Sequence, residues 1–278
     1  MSEMHLQDGL DTMRESINSS KKPKSLYHTD VECRNELGEV LFKKSNTIVL
    51  GGRRFTLEKL FNVTATNSKL TLNSILGISG NSDITDAFSK SCVCLFGVGM
   101  GGSGLTFGSV ANPSSKESNL YNLVPLQYVD SDTDIKSTNK YFMCKQHENG
   151  KYAFYLKRFE SAAIHLIVNG QEYTPSNADN SEPDHGDSAI TYAGVDDVDA
   201  YIELNLKIDT SDVRAYFNSL GETQTPRINE LGLFFGCHSS DTTWTEYSNV
   251  ELFSKLTFNN EALDSETKEL NIIYRIYI

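Results

Sequence analysis

Apolar positions near the start of the chain recur at helical spacing. They are Leu6, Leu10, Met13 and Ile17, which fall on one stripe of a helix of about three to four turns. A lone amphipathic helix of that length is marginally stable in water, so we expect it to dock on its own domain or on a neighbouring subunit. Pro23 breaks the pattern, and residues 1–25 are therefore predicted to form a docking helix and a linker.

From residue 26 onward the pattern changes to that of β-strands. Short runs rich in Val, Ile, Phe, Tyr and Thr are separated by Gly, Asn, Asp and Ser, and one such run, residues 47–50, stops at Gly51 and Gly52. In residues 200–208 and 270–278 apolar side chains take every second position. This spacing predicts strands with one buried face.

Two Asn-Gly pairs, at residues 149–150 and 169–170, lie between β-prone runs. Such pairs supply the positive φ angles that tight hairpin turns need, so residues 141–174 are predicted to form a meander of about four strands. Helical spacing recurs in residues 55–61 and 70–76, and again in residues 210–220. We therefore expect a few short helices among the strands.

Together these patterns predict a mostly β fold, an antiparallel β-sandwich or barrel-like domain with an N-terminal helix and a few short helices. The chain has 278 residues, of which 38% are hydrophobic, enough to bury a sizeable core. We expect residues 26–278 to form one β-rich structural domain. A subdivision near residues 75–140 stays open.

The charge of the chain restricts its partners. Its 25 basic and 37 acidic residues give a formal net charge of −12, which repels phosphate backbones and anionic membrane surfaces. The basic run at residues 21–24 reads as a solvated linker. The first ten residues do not resemble a secretory signal, and no stretch is long and apolar enough to span a bilayer. We therefore expect synthesis in a cytoplasm and no nucleic-acid or membrane partner.

The five cysteines are Cys33, Cys92, Cys94, Cys144 and Cys237. Their odd number and wide spacing are unlike a disulfide framework, so we predict reduced, mostly buried thiols. Cys92 and Cys94 would project from the same face of a strand and could bind a soft metal, but no zinc-type pair lies nearby. Buried core thiols are therefore the preferred interpretation of that pair.

Two other segments invite a chemical interpretation. The glycine-rich run of residues 97–104 lacks the ending of a nucleotide-binding loop, and it is predicted to be a flexible, interface-forming loop. The acidic segment of residues 176–199 offers oxygen ligands of the type that calcium prefers, without the spacing of a known calcium loop. We interpret it as a solvated loop. No cofactor, metal site or catalytic residue is predicted, because no serine sits in a nucleophile turn and nothing selects a pair of carboxylates.

The aromatic residues are mostly expected in the sheets and the core. Trp244 is the exception, because it lies in a polar stretch and an exposed tryptophan usually marks a contact surface. The candidate interface residues are therefore Leu6, Leu10, Met13, Ile17 and Trp244.

Three stretches at the end of the chain carry a family resemblance. They are residues 227–235 (RINELGLFF), 252–258 (LFSKLTF) and 270–277 (LNIIYRIY). In this order they resemble the ending shared by structural proteins of tailed bacteriophages. More weakly, residues 92–104 and 155–160 are similar to neck, collar or baseplate components.

The resemblance implies a non-enzymatic structural subunit of a virion, placed in a neck, collar or baseplate after synthesis in the bacterial host cytoplasm. The chain lacks the repeated shaft of a long fibre, which favours a compact ring or connector subunit. Its partners would be copies of itself, in a homo-oligomer, and other virion proteins.

Two alternatives stay open. A receptor- or glycan-binding β module of a phage tail would expose aromatic residues together, with Trp244, Tyr247 and Tyr192 as the first candidates. A cell-wall-degrading enzyme would need two converging carboxylates in a cleft.

Overall fold

The computed structural model describes residues 28–62, 71–78, 91–103, 109–174, 198–209, 211–221, 226–238, 247–263 and 268–277. Strands dominate this part of the chain, with short helices between them. The elements in chain order are β1 (His28–Arg34), β2 (Val40–Lys44), β3 (Thr47–Ile48), α1 (Leu50–Phe61), α2 (Leu72–Leu76), β4 (Ser91–Gly99), β5 (Leu123–Val124), β6 (Gln127–Val129), α3 (Thr133–Ser137), β7 (Tyr141–Gln146), β8 (Tyr152–Arg158), β9 (Ser161–Val168), β10 (Gln171–Glu172), β11 (Val198–Ile208), α4 (Arg214–Ser219), β12 (Arg227–His238), β13 (Tyr247–Ala262) and β14 (Leu270–Tyr277).

The strands form two antiparallel sheets that pack together, which confirms the predicted β-sandwich. One sheet has the order β10-β9-β11-β14-β1-β2. The other has the order β3-β13-β12-β4-β8-β6, with β5 paired to β4 and β7 paired to β8. Between the sheets, the Ser254 and Tyr274 hydroxyls hydrogen-bond at 2.6 Å, and the rings of Phe42 and Phe258 stack with centroids 4.7 Å apart.

The predicted alternation of the last strand is confirmed. Leu270, Ile272, Tyr274 and Ile276 are buried. The residues that alternate with them are half-buried, namely Asn271, Ile273, Arg275 and Tyr277. Alternation places every second side chain on the same face of the sheet, so this face of β14 belongs to the core.

The predicted four-stranded meander is wrong in its pairing, although both hairpins exist. β7 pairs with β8 and β9 pairs with β10, but the two hairpins belong to different sheets. The chain changes sheet at residues 158–160. The Arg158 amide donates to the Lys140 carbonyl beside β7, whereas the Glu160 amide donates to the Asn205 carbonyl in β11.

The helix predicted over residues 210–220 is shorter than expected. It runs from Arg214 to Ser219. Val213, directly in front of it, has a positive φ of 58° and is therefore not part of the helix. Thr210, the first residue of the predicted range, lies outside the described residues. Gly221 follows with φ 122°, in agreement with the predicted stop.

The chain divides into two units. The larger comprises residues 30–163 and 203–275 and contains the main core, which includes Leu95, Phe142 and Phe234. In the smaller unit, within the described residues, the aromatic rings of neighbouring strands form a row. The ring centroids of His165 and Tyr201 lie 4.8 Å apart, those of Tyr201 and Tyr277 5.0 Å, and those of Tyr277 and His28 5.7 Å.

In the described part of the chain, none of the helices has the length and apolar character needed to cross a membrane.

Candidate functional site

The interface residues predicted from the sequence fall outside the part of the chain that the structure describes. Leu6, Leu10, Met13, Ile17 and Trp244 all belong to the segments 1–27 and 239–246. The docking role of the N-terminal stripe and the contact role of Trp244 therefore stay predictions.

A different apolar surface is found on α1, in the larger unit. The helix packs directly on β13, and its two glycines make this approach possible. A Cβ added to Gly51 would lie 2.9 Å from the Leu252 carbonyl oxygen, and one added to Gly52 would overlap the Phe253 carbonyl. Gly51 and Gly52 were expected to end a strand and are instead the first turn of a helix. Side chains that touched β13 there would push the helix off the sheet.

The inward face of α1 is fixed by one ring and one ion pair. Phe55 stacks on Phe235 with centroids 4.4 Å apart, and it meets Phe253 edge to face at 6.4 Å. Arg54 forms an ion pair with Glu251 of β13, and both side chains are largely buried. Aromatic packing and a shielded ion pair hold the helix in one orientation on the sheet.

The outward face of α1 is apolar. Leu50 is 65% exposed, Leu57 56%, Leu60 63% and Phe61 67%. Leu50, Leu57 and Phe61 are separated by seven and four residues, so they lie along one stripe of the helix. We call these four side chains the α1 outward face. An apolar surface on a helix that is itself firmly packed is typical of a protein contact.

Charge near this face differs from that of the whole chain. Within α1, three basic residues stand against one acidic residue, whereas the chain carries a net charge of −12. Arg53 is exposed and Lys59 is half-buried. The surroundings of the α1 outward face are therefore suited to an acidic partner surface.

The glycine-rich run is an anchored segment over the residues that the structure describes, which corrects the prediction of a flexible loop. Residues 97–99 are the buried end of β4. Beyond it, the Gly101 amide donates to Glu230 Oε2 at 2.9 Å, and the Gly102 amide donates to Asn229 Oδ1 at 2.7 Å. The backbone amides that could receive a phosphate are thus occupied by side chains of β12.

Glu230 is the centre of this arrangement. It has no exposed side-chain surface, and it also accepts the backbone amides of Tyr121 at 2.8 Å and Asn122 at 3.1 Å. The ammonium of Lys255, equally buried, lies 3.1 Å from Glu230 Oε1. Buried charges persist where they are paired and hydrogen-bonded, so this carboxylate is a structural anchor.

Among the further neighbours of Lys255 are a carboxylate and an aromatic ring. The lysine ammonium lies 2.9 Å from Glu117 Oε2 and 3.0 Å from the ring centroid of Tyr121. Burial and the adjacent Glu117 carboxylate raise the pKa of Tyr121 to about 12. For Glu117 itself, the hydrogen bonds from Lys255 and Tyr121 outweigh burial and hold its pKa below the ordinary value. The Tyr121 hydroxyl therefore stays protonated beside the Glu117 carboxylate at neutral pH.

A second buried lysine stabilises the opposite end of the same sheet. Lys157 of β8 donates to Asp212 at 2.8 Å and to Asp209 at 2.9 Å. Asp212 also accepts the Tyr141 hydroxyl at 2.8 Å and the Gln127 amide at 3.2 Å. Burial alone would lower the pKa of Lys157, but the charge of Asp212 more than compensates and raises it. The lysine is held as a cation, which suits a structural ion pair.

All five cysteines are free thiols. Cys33 and Cys237 are buried, as predicted. Cys92, Cys94 and Cys144 are half-buried, so the prediction of core burial is wrong for the Cys92 and Cys94 pair. Among the described residues, no three His, Cys, Asp or Glu side chains converge in a way that could hold a metal ion.

Of the three aromatic residues considered for glycan binding, Tyr247 alone lies in the part of the chain that the structure describes. Tyr247 is only 4% exposed and packs edge to face against Phe142. Tyr192 and Trp244 lie outside the described residues, as does the acidic segment up to residue 197.

No family model, no curated protein and no solved structure matches this chain.

Proposed function

We propose that this chain is a non-enzymatic structural subunit of a tailed-phage virion, acting through protein contacts in a neck, collar or baseplate. The observation that carries the proposal is the α1 outward face, whose four apolar side chains are each more than half exposed. The ending of the chain, residues 227–277, supports it by its resemblance to phage structural proteins.

The partner proposed for this face is a second copy of the chain. The basic surroundings of α1 complement the acidic remainder of the same chain, which favours association between copies. Closed homo-oligomers are also the commonest form of soluble assembly.

The size of the face indicates that it acts together with others. Burying an apolar side chain completely is worth about 1.5 to 3 kcal/mol, so the four exposed side chains offer roughly 4 to 8 kcal/mol. Association costs about 4 to 15 kcal/mol in lost freedom. A dimer held by this face alone would therefore be weak, whereas a ring in which every copy makes two contacts would be stable.

The test is the oligomeric state of the purified full chain by sedimentation velocity. We expect the native chain to assemble and the double variant Leu57→Glu with Phe61→Glu to dissociate, because two carboxylates would be buried in an apolar contact. Leu37→Glu is the matched control, since Leu37 is 77% exposed in the turn between β1 and β2. The proposal is wrong if the native chain is monomeric throughout, or if the α1 variant assembles like the control.

A further inference from the structure

Lys157 and Asp212 are in hydrogen-bond contact inside the larger unit, and both side chains are almost fully buried. Lys157 Nζ lies 2.8 Å from Asp212 Oδ2. This contact also brings Nζ close to the carboxyl carbon that carries Oδ2. Two groups held in a fixed orientation at about 3 to 3.5 Å react far faster than the same groups free in solution. A nitrogen and a carboxyl carbon that could form an amide are therefore held together in the protein interior.

The other carboxyl oxygen of Asp212 faces two hydrogen-bond donors. The Tyr141 hydroxyl donates to Oδ1 at 2.8 Å, and the Gln127 side-chain amide donates to the same atom at 3.2 Å. Donors in this position stabilise the negative charge that develops on a carbonyl oxygen when a nucleophile adds to its carbon. The two oxygens of Asp212 thus differ in role, because Oδ1 is held as a carbonyl oxygen and Oδ2 is the one that can leave.

A second carboxylate contacts the same nitrogen. Asp209 Oδ2 lies 2.9 Å from Lys157 Nζ, and the Asp209 side chain is 32% exposed. The Asp209 backbone amide donates to Asp212 Oδ2 at 2.8 Å, which keeps the two carboxyl groups together. Asp209 is therefore placed to take a proton from the nitrogen and return it to the leaving oxygen, as a general base and acid does. Its partial exposure gives a released water molecule a route to solvent.

The backbone next to Asp212 is strained. Val213 has a φ of 58°, and a β-branched residue with a positive φ is a true outlier. The Val213 amide donates to the Leu126 carbonyl at 2.9 Å, and the Asp212 amide donates to the Asp209 carbonyl at 2.9 Å. Strained residues persist where the surrounding structure holds them, and they are concentrated at reactive sites. The strained turn fixes the Asp212 carboxyl group against Lys157.

We propose that Lys157 and Asp212 condense to an intramolecular amide, a covalent cross-link between β8 and the turn that follows β11. The ion pair first exchanges a proton, so that a neutral amine faces a neutral carboxyl group. The nitrogen attacks the carboxyl carbon, a carbon–nitrogen bond forms, and the bond from that carbon to Oδ2 breaks. Oδ2 keeps the electron pair of the broken bond and leaves as water, with one proton from the exchange and a second passed from the nitrogen through Asp209. One ammonium and one carboxylate thus give one amide and one water, without an oxidant or reductant.

The protein interior favours this product. Two buried charges, whose desolvation is unfavourable, are replaced by a neutral amide. The amide nitrogen keeps one hydrogen, which it can still donate to Asp209. β8 and β11 belong to different sheets, so the bond joins the two sheets of the sandwich covalently.

Lys255 provides a comparison within the same chain. It is as buried as Lys157 and pairs with Glu230. Its ammonium lies 3.0 Å from the ring centroid of Tyr121, whereas 5.4 Å separate Lys157 Nζ from that of Tyr141. An aromatic face at contact distance stabilises a cation, and this opposes the loss of the proton that amide formation requires. We therefore expect an amide at Lys157 and none at Lys255.

The test is the mass of the purified full chain after denaturation and reduction. We expect a chain that lacks the mass of one water molecule. Trypsin should then release residues 152–158, uncut after Lys157, joined to residues 208–214, and fragmentation should assign the bond to Asp212. An unmodified mass, or a lost water that maps to Asp209, to Lys255 or to any other place, would overturn the proposal.

Asp209→Asn tests the transfer of the proton. The chain is made by cell-free synthesis and quenched in acid at intervals, and the linked fraction is measured by mass spectrometry, while circular dichroism verifies that the variant folds. General acid–base catalysis contributes about 10²- to 10⁴-fold, so Asp209→Asn should slow the cross-linking roughly 100-fold or more. Glu269→Gln is the matched control, because Glu269 pairs with Lys207 at 3.0 Å, and it should leave the rate unchanged. Equal rates in the native chain and in Asp209→Asn would show that Asp209 does not transfer the proton.

Discussion

The replacement Glu230→Gln tests whether the buried carboxylate anchors the glycine-rich segment. Glu230 accepts the amides of Gly101, Tyr121 and Asn122 and pairs with Lys255, and neither charged side chain of this pair has exposed surface. Glutamine replaces one oxygen with an amino group that cannot accept these hydrogen bonds, and it removes one of the two carboxylates that face the buried ammonium of Lys255. Breaking a buried ion pair in this way costs about 3 to 5 kcal/mol.

The assay is urea unfolding of the purified chain, followed by far-UV circular dichroism and by fluorescence. We expect the midpoint to fall and the slope to stay constant, since the replacement changes the stability but not the surface exposed on unfolding. The matched control is Glu203→Gln. Glu203 pairs with Arg275 at 2.9 Å, but both side chains are partly exposed, so its loss should cost less than about 1 kcal/mol.

A double-mutant cycle identifies the source of the loss. Lys255→Met alone should also destabilise the chain, because it leaves the Glu230 carboxylate unpaired. If the two charges support each other, Glu230→Gln combined with Lys255→Met costs less than the two single losses together, by about 0.5 to 3 kcal/mol. A loss below about 1 kcal/mol for Glu230→Gln, or strict additivity in the cycle, would refute the anchoring role.

Three other outcomes are expected. Removing residues 270–278 should yield insoluble protein, because it deletes the buried face of β14 and exposes neighbouring strand edges. Removing residues 1–20 should instead weaken assembly and leave a chain that still melts cooperatively. A soluble product of the first deletion would contradict this. Phe55→Ala should destabilise the chain by about 3 to 5 kcal/mol in urea unfolding, and a loss near zero would show that α1 is not fixed by this ring. The hydrogen bond from Lys157 outweighs burial and lowers the pKa of Asp209. The ionised Asp209 therefore stabilises the fold above about pH 4, and this stabilisation is lost as the pH falls through its folded-state pKa. Asp209→Asn should therefore make the free energy of unfolding depend less on pH in the acid range. An unchanged pH profile would argue against this role of Asp209.

Alternation along single strands could be predicted from the sequence, because it depends on neighbouring residues alone. The strand at residues 270–277 has its buried positions where the period-two pattern places them. Asn169 and Gly170 likewise form the predicted turn, with φ of 52° and 78°. Both features follow from local backbone chemistry.

Pairing between distant strands could not be predicted in the same way. The change of sheet at Glu160 depends on a hydrogen bond to Asn205, which is far away in sequence. The inclusion of Gly51 and Gly52 in α1 has a similar cause, because it depends on how closely β13 approaches. Glycine pairs usually separate elements, and a tertiary contact reversed that tendency here.

The buried charges left a signal that could have been used. Glu230 stands inside the apolar run of residues 228–235, and Lys255 inside that of residues 252–258. A single charge in the middle of a buried strand requires a partner of opposite sign, so the two strands could have been paired on this ground.

The central claim is that this chain is part of a phage particle, and labelled particles test it most directly. The proposal implies that a phage encodes this chain. Tailed particles of such a phage are purified from a lysate of infected cells, and an antibody against the chain is located on them by electron microscopy. We predict label at the neck, the collar or the baseplate of the particles, at one fixed place. Particles that carry no label, while the chain remains in the soluble fraction of the lysate, would contradict the account.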